Sequence, residues 1–164
     1  MVSSVKAKYI KLVCIAGLIV IIDQITKAVI INRFLLYESV SVIPGFFSIT
    51  YIQNPGGAFG FLSDGGTVLR HIIFIGFSFF AICLLFYFYK TTPATLPILS
   101  AGFALILGGA AGNLIDRIRF GKVVDFLDFY IGRLHWPAFN IADSAVSVGM
   151  VIFLYHILFK HIPE

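Results

Sequence analysis

Four long apolar runs limit most strongly what this chain can fold into. They cover about residues 9–31, 67–89, 98–118 and 141–159. A transmembrane helix needs about 20 consecutive residues that are mainly apolar, and each run has about that length. The 164-residue chain is 59% hydrophobic and 12% charged, whereas soluble domains average about 25% charged residues. The sequence therefore predicts one integral membrane domain over residues 1–164, all-α in its membrane part, with four spans.

Three lysines, Lys6, Lys8 and Lys11, precede the main apolar part of the first run. A basic start is also typical of a cleavable signal peptide, but such a peptide has only about 7–15 apolar residues and ends in a small-residue cleavage site. Neither holds here, so we interpret the run as a retained span. Under the positive-inside rule the lysines place the N terminus in the cytoplasm, and four spans return the C terminus to that side. Basic residues on the outer side do not follow the rule, and nearby aspartates can neutralise them.

The loop between the first two spans, about residues 32–66, predicts a small sheet. Its segments 40–45 and 46–52 are rich in β-branched and aromatic residues, and Asn54-Pro-Gly-Gly57 closes them. Turn-bounded runs of this composition are typical of strands, and we expect the sheet to lie on the membrane surface. A second outer loop, about residues 119–139, is also rich in aromatic side chains. We expect it in the membrane interface, where Tyr and Trp are enriched.

Several classes of function have no support in the residues. Both cysteines, Cys14 and Cys83, lie in apolar runs, and none of the four histidines has a partner at metal-ligand spacing. The chain has no H-E-x-x-H or G-x-S-x-G motif. It also has no basic stripe with interleaved aromatic residues, the pattern typical of nucleic-acid binding. We therefore expect no metal, no cofactor and no nucleic-acid partner.

Charged side chains inside the spans are informative because a charge at the bilayer centre costs about 2.5–3.5 kcal/mol on insertion scales. Asp23 and Lys27 stand four residues apart on one face of the first span, which predicts an internal ion pair. The third span carries Asn113, Asp116 and Arg117 on one face. Three glycines just before them predict a seam for close helix packing, and we expect Asp116 to pair with Arg117.

The fourth span begins with a polar stripe of Asn140, Asp143, Ser144 and Ser147, whose spacing places all four on one helix face. Asp125, in the preceding loop, stands between bulky apolar neighbours, and the two acids can meet at the outer end of the bundle. Two close carboxylates cannot both ionise, so they share one proton. One can then take a proton from water while the other polarises a carbonyl, which hydrolyses an amide. From spacing alone, paired membrane aspartates are equally typical of a proton or cation path.

With these residues in view, the chain resembles the bacterial prolipoprotein signal peptidases, the type II signal peptidase family, along nearly its whole length. The matching blocks are Asp23-Gln-Ile-Thr-Lys27, Asn54-Pro-Gly-Gly-Ala-Phe59, Gly112-Asn-Leu-Ile-Asp-Arg117, Val123-Val-Asp-Phe126 and Phe139-Asn-Ile-Ala-Asp-Ser144. The resemblance implies a four-transmembrane-helix bundle with a small extracytoplasmic β-cradle and an interfacial helix. It also implies an aspartyl endopeptidase of the bacterial cytoplasmic membrane that cuts signal peptides just before a diacylglyceryl-cysteine.

Residue by residue, the resemblance implies Asp125 and Asp143 as the catalytic dyad. The other implied positions are a supporting shell of Asn113, Arg117 and Asn140, a substrate-cradling loop with Asn54 and Gly56, and the structural polar residues Asp23, Lys27 and Asp116. The implied partners are diacylglyceryl-modified prolipoproteins and membrane lipids. We expect a monomer with both termini cytoplasmic and its active site near the outer face. Pro55 and Gly57 depart from the family pattern, which bears on the flexibility of the loop.

The cradle loop, about residues 53–60, carries three glycines beside an apolar tip formed by Phe59 and Phe61. Glycines let a backbone take unusual angles and approach a ligand closely. We expect a mobile lid that closes on bound peptide, with Asn54 bonding to the peptide backbone. The alternative is a rigid turn that only ends the sheet.

Two other functions fit part of the pattern. A small proton- or ion-conducting subunit explains the buried acids, but not the structured outer loop or the position of Asp125. A non-catalytic subunit that packs with partner helices explains the glycine seam, but not polar residues on three spans.

Overall fold

The computed structural model describes residues 2–56 and 67–159. The elements, in chain order, are α1 (Val2–Arg33), β1 (Ser39–Ile43), β2 (Phe47–Asn54), α2 (Thr67–Thr91), α3 (Pro97–Phe120), β3 (Val123–Ile131), β4 (Leu134–His135) and α4 (Ile141–Phe159). By length and composition, all four helices are able to cross a membrane. The predicted fold class, four spans with a small sheet, is confirmed.

Helix α3 is the centre of the bundle and packs against α1, α2 and α4. Within its apolar stretch 61% of the residues are buried, whereas the share is 6% in α2. Helix α2 therefore turns much of its apolar surface outward, as a lipid-facing helix does. Ser100, Asn113 and Asp116 of α3 are buried inside the protein, which is where polar groups are tolerated in a membrane.

The predicted glycine seam on α3 is present. A Cβ on Gly109 would collide with the backbone carbonyl of Ala142 in α4, and a Cβ on Gly108 would lie 2.9 Å from the backbone of Ala16 in α1. Both distances are too short for atoms in ordinary contact. The helices therefore approach so closely only because these positions lack side chains.

Lysines of α1 hold the end of the bundle that lies away from the sheet. Lys8 Nζ donates to the carbonyl oxygens of Lys90 (3.1 Å) and Thr92 (2.6 Å), and Lys11 Nζ donates to that of Pro97 (2.8 Å). A cation near a helix C terminus complements the helix dipole. The start of α1, the end of α2 and the start of α3 meet there, and α4 runs back toward the same end.

The sheet lies across the opposite end of the bundle. Its four strands are in chain order, and each pair is antiparallel. Ile30 near the end of α1 packs with Tyr51, Val124 and Phe126 of the sheet in one buried cluster, to which Ile141 at the start of α4 adds. This cluster attaches β2 and β3 to the helix ends and sets the depth at which the strands meet the bundle.

Residues 119–139, expected as a separate interfacial loop, instead supply β3 and β4. β3 pairs with β2, placing Asp125 opposite Ile52 and Asp128 opposite Ser48. Pairing satisfies the backbone N–H and C=O groups of a mainly buried segment, which an open loop would leave without partners. Every helix in the two described ranges is one of the four spans. An interfacial helix is not present among those residues.

Candidate active site

Asp125 and Asp143 come from different elements and are joined through one residue. Asp125 lies in β3, and Asp143 lies in the first turn of α4. Asn140 Nδ2 donates to Asp125 Oδ1 (2.7 Å), and the backbone N–H of Asn140 donates to Asp143 Oδ2 (3.2 Å). The structure therefore brings the two predicted acids into one hydrogen-bonded group.

Asn140 is also the N-terminal cap of α4. Its Oδ1 accepts a hydrogen bond from the backbone N–H of Asp143 (2.9 Å), while the Asp143 carboxylate accepts from the Asn140 N–H. This reciprocal arrangement is a capping box. A helix N terminus favours negative charge, so the position stabilises the ionised form of Asp143. The sequence contained this signal, since an Asn followed three residues later by an acid before an apolar run predicts such a cap.

Asn113 supports Asp143 from α3. Its Nδ2 donates to Asp143 Oδ1 (2.7 Å), and its Oδ1 accepts from Lys27 Nζ (2.9 Å) and from Asn140 Nδ2 (3.1 Å). Both ends of the amide are therefore used. Its orientation follows from the hydrogen bonds, because Lys27 can only donate.

Asn54 supports Asp125 from the end of β2. Its Nδ2 donates to Asp125 Oδ2 (3.1 Å), and its Oδ1 accepts from the backbone N–H of Gly56 (2.9 Å). Gly56 has φ +84°, and a Cβ there would lie 2.9 Å from the Phe74 ring of α2. Both the backbone angle and the space require glycine. Of the predicted lid, about residues 53–60, the second half and the apolar tip at Phe59 and Phe61 lie outside the described residues.

Asp125 is only 2% exposed. Burial, and next the negative charge of Asp143, raise its pKa from 3.8 to about 7, against the hydrogen bonds from Asn54 and Asn140 and the charge of Lys27. A carboxyl group with this pKa holds a proton near neutral pH. The pair can therefore present one protonated and one ionised carboxyl group at the same time.

The predicted ion pair of Asp23 with Lys27 is confirmed at 2.9 Å, but Lys27 has a second partner. Asp116 lies 2.9 Å from Lys27 Nζ, and the predicted pairing of Asp116 with Arg117 is wrong. Adjacent residues of a helix do not face each other. Arg117 interacts electrostatically with Asp143, Asp125 and Asp116, without an ion pair in the described part of the chain.

Three contributors were not found from the sequence. Gln24 donates to Asp116 Oδ1 (2.9 Å), and the backbone N–H groups of Val124 and Ala142 donate to Asp116 Oδ2 (3.1 Å) and Asp23 Oδ1 (3.0 Å). Backbone donors of this kind leave no signature in residue type. Within residues 2–56 and 67–159, no three His, Cys, Asp or Glu side chains are grouped to hold a metal ion.

Comparison with known proteins gives one consistent result. The sequence profile described as signal peptidase (SPase) II matches residues 15–159. The chain is 47% identical over 155 residues to the lipoprotein signal peptidase of Desulforapulum autotrophicum, covering 94% of this chain and 96% of that protein. It is 50% identical over 146 residues to the one of Syntrophus aciditrophicus, covering 88% and 90%. A solved bacterial membrane enzyme superimposes with a TM-score of 0.78 at 33% identity, covering 91% of this chain and 93% of the other.

Proposed function

This chain belongs to the signal peptidase II family, and on that premise we propose that it removes signal peptides from lipid-modified prolipoproteins, with Asp125 and Asp143 as the catalytic pair. The family accounts for the protease activity; the aspartyl chemistry and the cut just before a diacylglyceryl-cysteine are the finer proposal. One observation carries it. Asn140 bonds to both carboxyl groups, one at a helix N terminus and the other buried on a strand.

The environments of the two acids suggest their roles. Asp143, at the positive end of α4, is the ionised partner and takes a proton from the attacking water. Asp125, with its raised pKa, is the protonated partner and gives its proton to the oxygen of the scissile carbonyl. In the second half of the reaction Asp125 takes that proton back, Asp143 passes its proton to the leaving nitrogen, and the C–N bond breaks. No covalent enzyme intermediate forms.

The position of the pair fits a lipid-anchored substrate. Asp125 and Asp143 lie where the sheet meets the ends of α3 and α4. The acyl chains of a diacylglyceryl-cysteine stay in the bilayer, so its scissile bond stays at the interface. We propose a monomer in the bacterial cytoplasmic membrane, with both termini in the cytoplasm and the site near the outer face.

A proton- or ion-conducting role is not favoured by the geometry. A relay needs acids that can exchange protons along a path. Asp23 and Asp116 are instead each bound to Lys27 and to a backbone N–H group.

The test is cleavage of a purified lipid-modified prolipoprotein by the purified protein in detergent, followed as a shift in its gel band. Asp125→Asn and Asp143→Asn should each lower the rate by about 10²–10⁴-fold, because general acid–base catalysis needs both carboxyl groups. Asp128→Asn is the matched control, since Asp128 lies on the same strand and bonds to His135 and Thr50. It should cleave like the unaltered protein. A rate within about tenfold for either dyad variant would contradict the assignment.

A further inference from the structure

Lys27 contacts more groups than an internal ion pair requires. Its ammonium nitrogen lies 2.9 Å from Asp23 Oδ2, 2.9 Å from Asp116 Oδ2 and 2.9 Å from Asn113 Oδ1. An ammonium has three donors, so all three are used. The residue is 2% exposed, although the carboxylate of Asp23, on its own helix, would be enough to neutralise it.

Each of the three partners in turn bonds to a dyad carboxyl group or to the backbone beside one. Asn113 donates to Asp143 Oδ1. Asp23 Oδ1 accepts from the N–H of Ala142, the residue before Asp143.

The third connection reaches the other acid. Asp116 Oδ2, the oxygen that faces Lys27, also accepts from the N–H of Val124, the residue before Asp125. Both members of the dyad are therefore connected to the same ammonium group, Asp143 through Asn113 and Asp125 through Asp116 and Val124.

We infer that Lys27 is a positioning residue for hydrolysis, which sets the separation and orientation of the Asp125 and Asp143 carboxyl groups by holding the groups that bond to them and to their chain neighbours. The inference rests on the proposed function. A purely structural cation would stabilise the bundle and leave the chemistry of a folded variant unchanged. A positioning residue changes the chemical step itself, because a displacement of about 1 Å can lower a rate about 10²-fold.

The positive charge of Lys27 provides a second, independent test of this role, through the pH dependence of activity. The charged or titratable groups around the dyad come from every packed helix: Asp23 and Lys27 from α1, His71 from α2 at the backbone oxygen of Arg117, and Asp116 and Arg117 from α3. Lys27 lowers the pKa of Asp125. Its removal should therefore raise that pKa and move the alkaline limb of the activity profile to higher pH.

The experiment compares Lys27→Met with the unaltered protein in the prolipoprotein assay. We expect kcat to fall about 10²-fold while KM stays within about twofold, because an interaction made only in the transition state is lost and substrate binding is kept. The alkaline limb should move upward, and Lys27→Arg should recover part of kcat. Lys11→Met is the matched control, since Lys11 lies on the same helix and bonds to the Pro97 oxygen at the far end.

The outcomes separate the two proposals. If the unaltered protein does not cleave, the proposed function fails whatever Lys27 does. If it cleaves and a folded Lys27→Met variant keeps its kcat and its alkaline limb, Lys27 is structural and the inference is wrong.

A second variant tests the inference if Lys27→Met alone does not fold. Lys27→Met combined with Asp116→Asn keeps the summed charge of Asp23, Lys27 and Asp116 at −1, since one positive and one negative group are removed together. The amide oxygen introduced by Asp116→Asn can still accept from the Val124 N–H. The kcat of this double variant should again fall while KM is retained, and an unchanged kcat would overturn the inference.

Discussion

Asn140 performs two tasks with one side chain. Its Oδ1 caps α4, and its Nδ2 reaches Asp125, the Val124 carbonyl and Asn113. A capping residue could be Ser, Thr or Asp equally well, but none of these has an N–H donor on its side chain. The amide is therefore required by the dyad and not by the helix.

Substitutions at Asn140 separate these tasks. Asn140→Ser keeps a capping oxygen but has no amide to donate to Asp125, and Asn140→Ala loses both. We expect both variants to lose about 10²-fold in kcat, while Ala costs about 1 kcal/mol more stability than Ser. Thermal unfolding and cleavage rates measure the two effects. An active Asn140→Ser variant would mean that Asn140 serves only as a cap.

The raised pKa of Asp125 predicts a pH dependence of both activity and stability. Activity should decline as pH rises through about 7, because the pair loses its shared proton. The folded protein also binds this proton more tightly than an unfolded chain, where the pKa is 3.8. The free energy of unfolding should therefore fall as pH rises between those values. Rates and melting temperatures over a pH series test this, and Asp125→Asn should remove that part of the stability change. Activity that does not change with pH across this range would contradict the prediction.

The sequence shows which polar residues of the spans share a helix face, because such residues are few and their spacing is helical, whereas the roles of Asp125, Asp143 and their support came from the family resemblance and stay a proposal. The ion-pair partner of Asp116 could not be predicted from the sequence. Lys27 belongs to another helix, and only the packing of α1 on α3 shows that it lies closer to Asp116 than the neighbouring Arg117 does. Nearness along a chain is a poor guide to ion pairing when adjacent side chains diverge.

At the scale of elements, the presence of four long apolar helices was predictable and the third strand was not. The number of consecutive apolar residues directly indicates a transmembrane helix. By contrast, β3 becomes a strand through pairing with β2, whose sequence lies more than a whole helix away. Its run of Val123, Val124, Phe126 and Leu127 suits a buried strand and an interfacial segment equally well.

The close contact of α3 with α4 predicts opposite effects for two glycine substitutions. A Cβ at Gly109 collides with the Ala142 backbone beside Asp143, whereas a Cβ at Gly76 meets nothing within 4 Å. Gly109→Ala should lower both melting temperature and cleavage rate. Gly76→Ala should be neutral or stabilising by about 0.5–1 kcal/mol, because Ala favours a helix over Gly. Equal effects of the two variants would show that the seam does not control the position of α4.

At the scale of the whole molecule, the sheet lies at one end of the bundle, and the contacts of Lys8 and Lys11 lie at the other. The proposed orientation places the sheet outside. In a background of Cys14→Ser and Cys83→Ser, Ser41→Cys on exposed β1 should react in intact cells with a membrane-impermeant thiol reagent. Thr91→Cys, exposed at the end of α2, should react only after the cells are opened. The reverse pattern would mean that the protein sits the other way round.

The proposed catalytic pair is completed only when the last of the four helices is made, because Asp143 lies in α4. Synthesis runs from the N terminus at about 5–20 residues per second, so α1, α2 and α3 enter the bilayer before Asp143 exists. In the folded protein Lys27 pairs with Asp23 and Asp116, both of which are made before α4, so partners for its charge exist before α4 is present. The N–H of Ala142 then binds Asp23 when α4 arrives, and the second carboxyl group takes its place. On the proposed function, a chain that stops before α4 therefore lacks one of the two carboxyl groups and should not cleave its substrate.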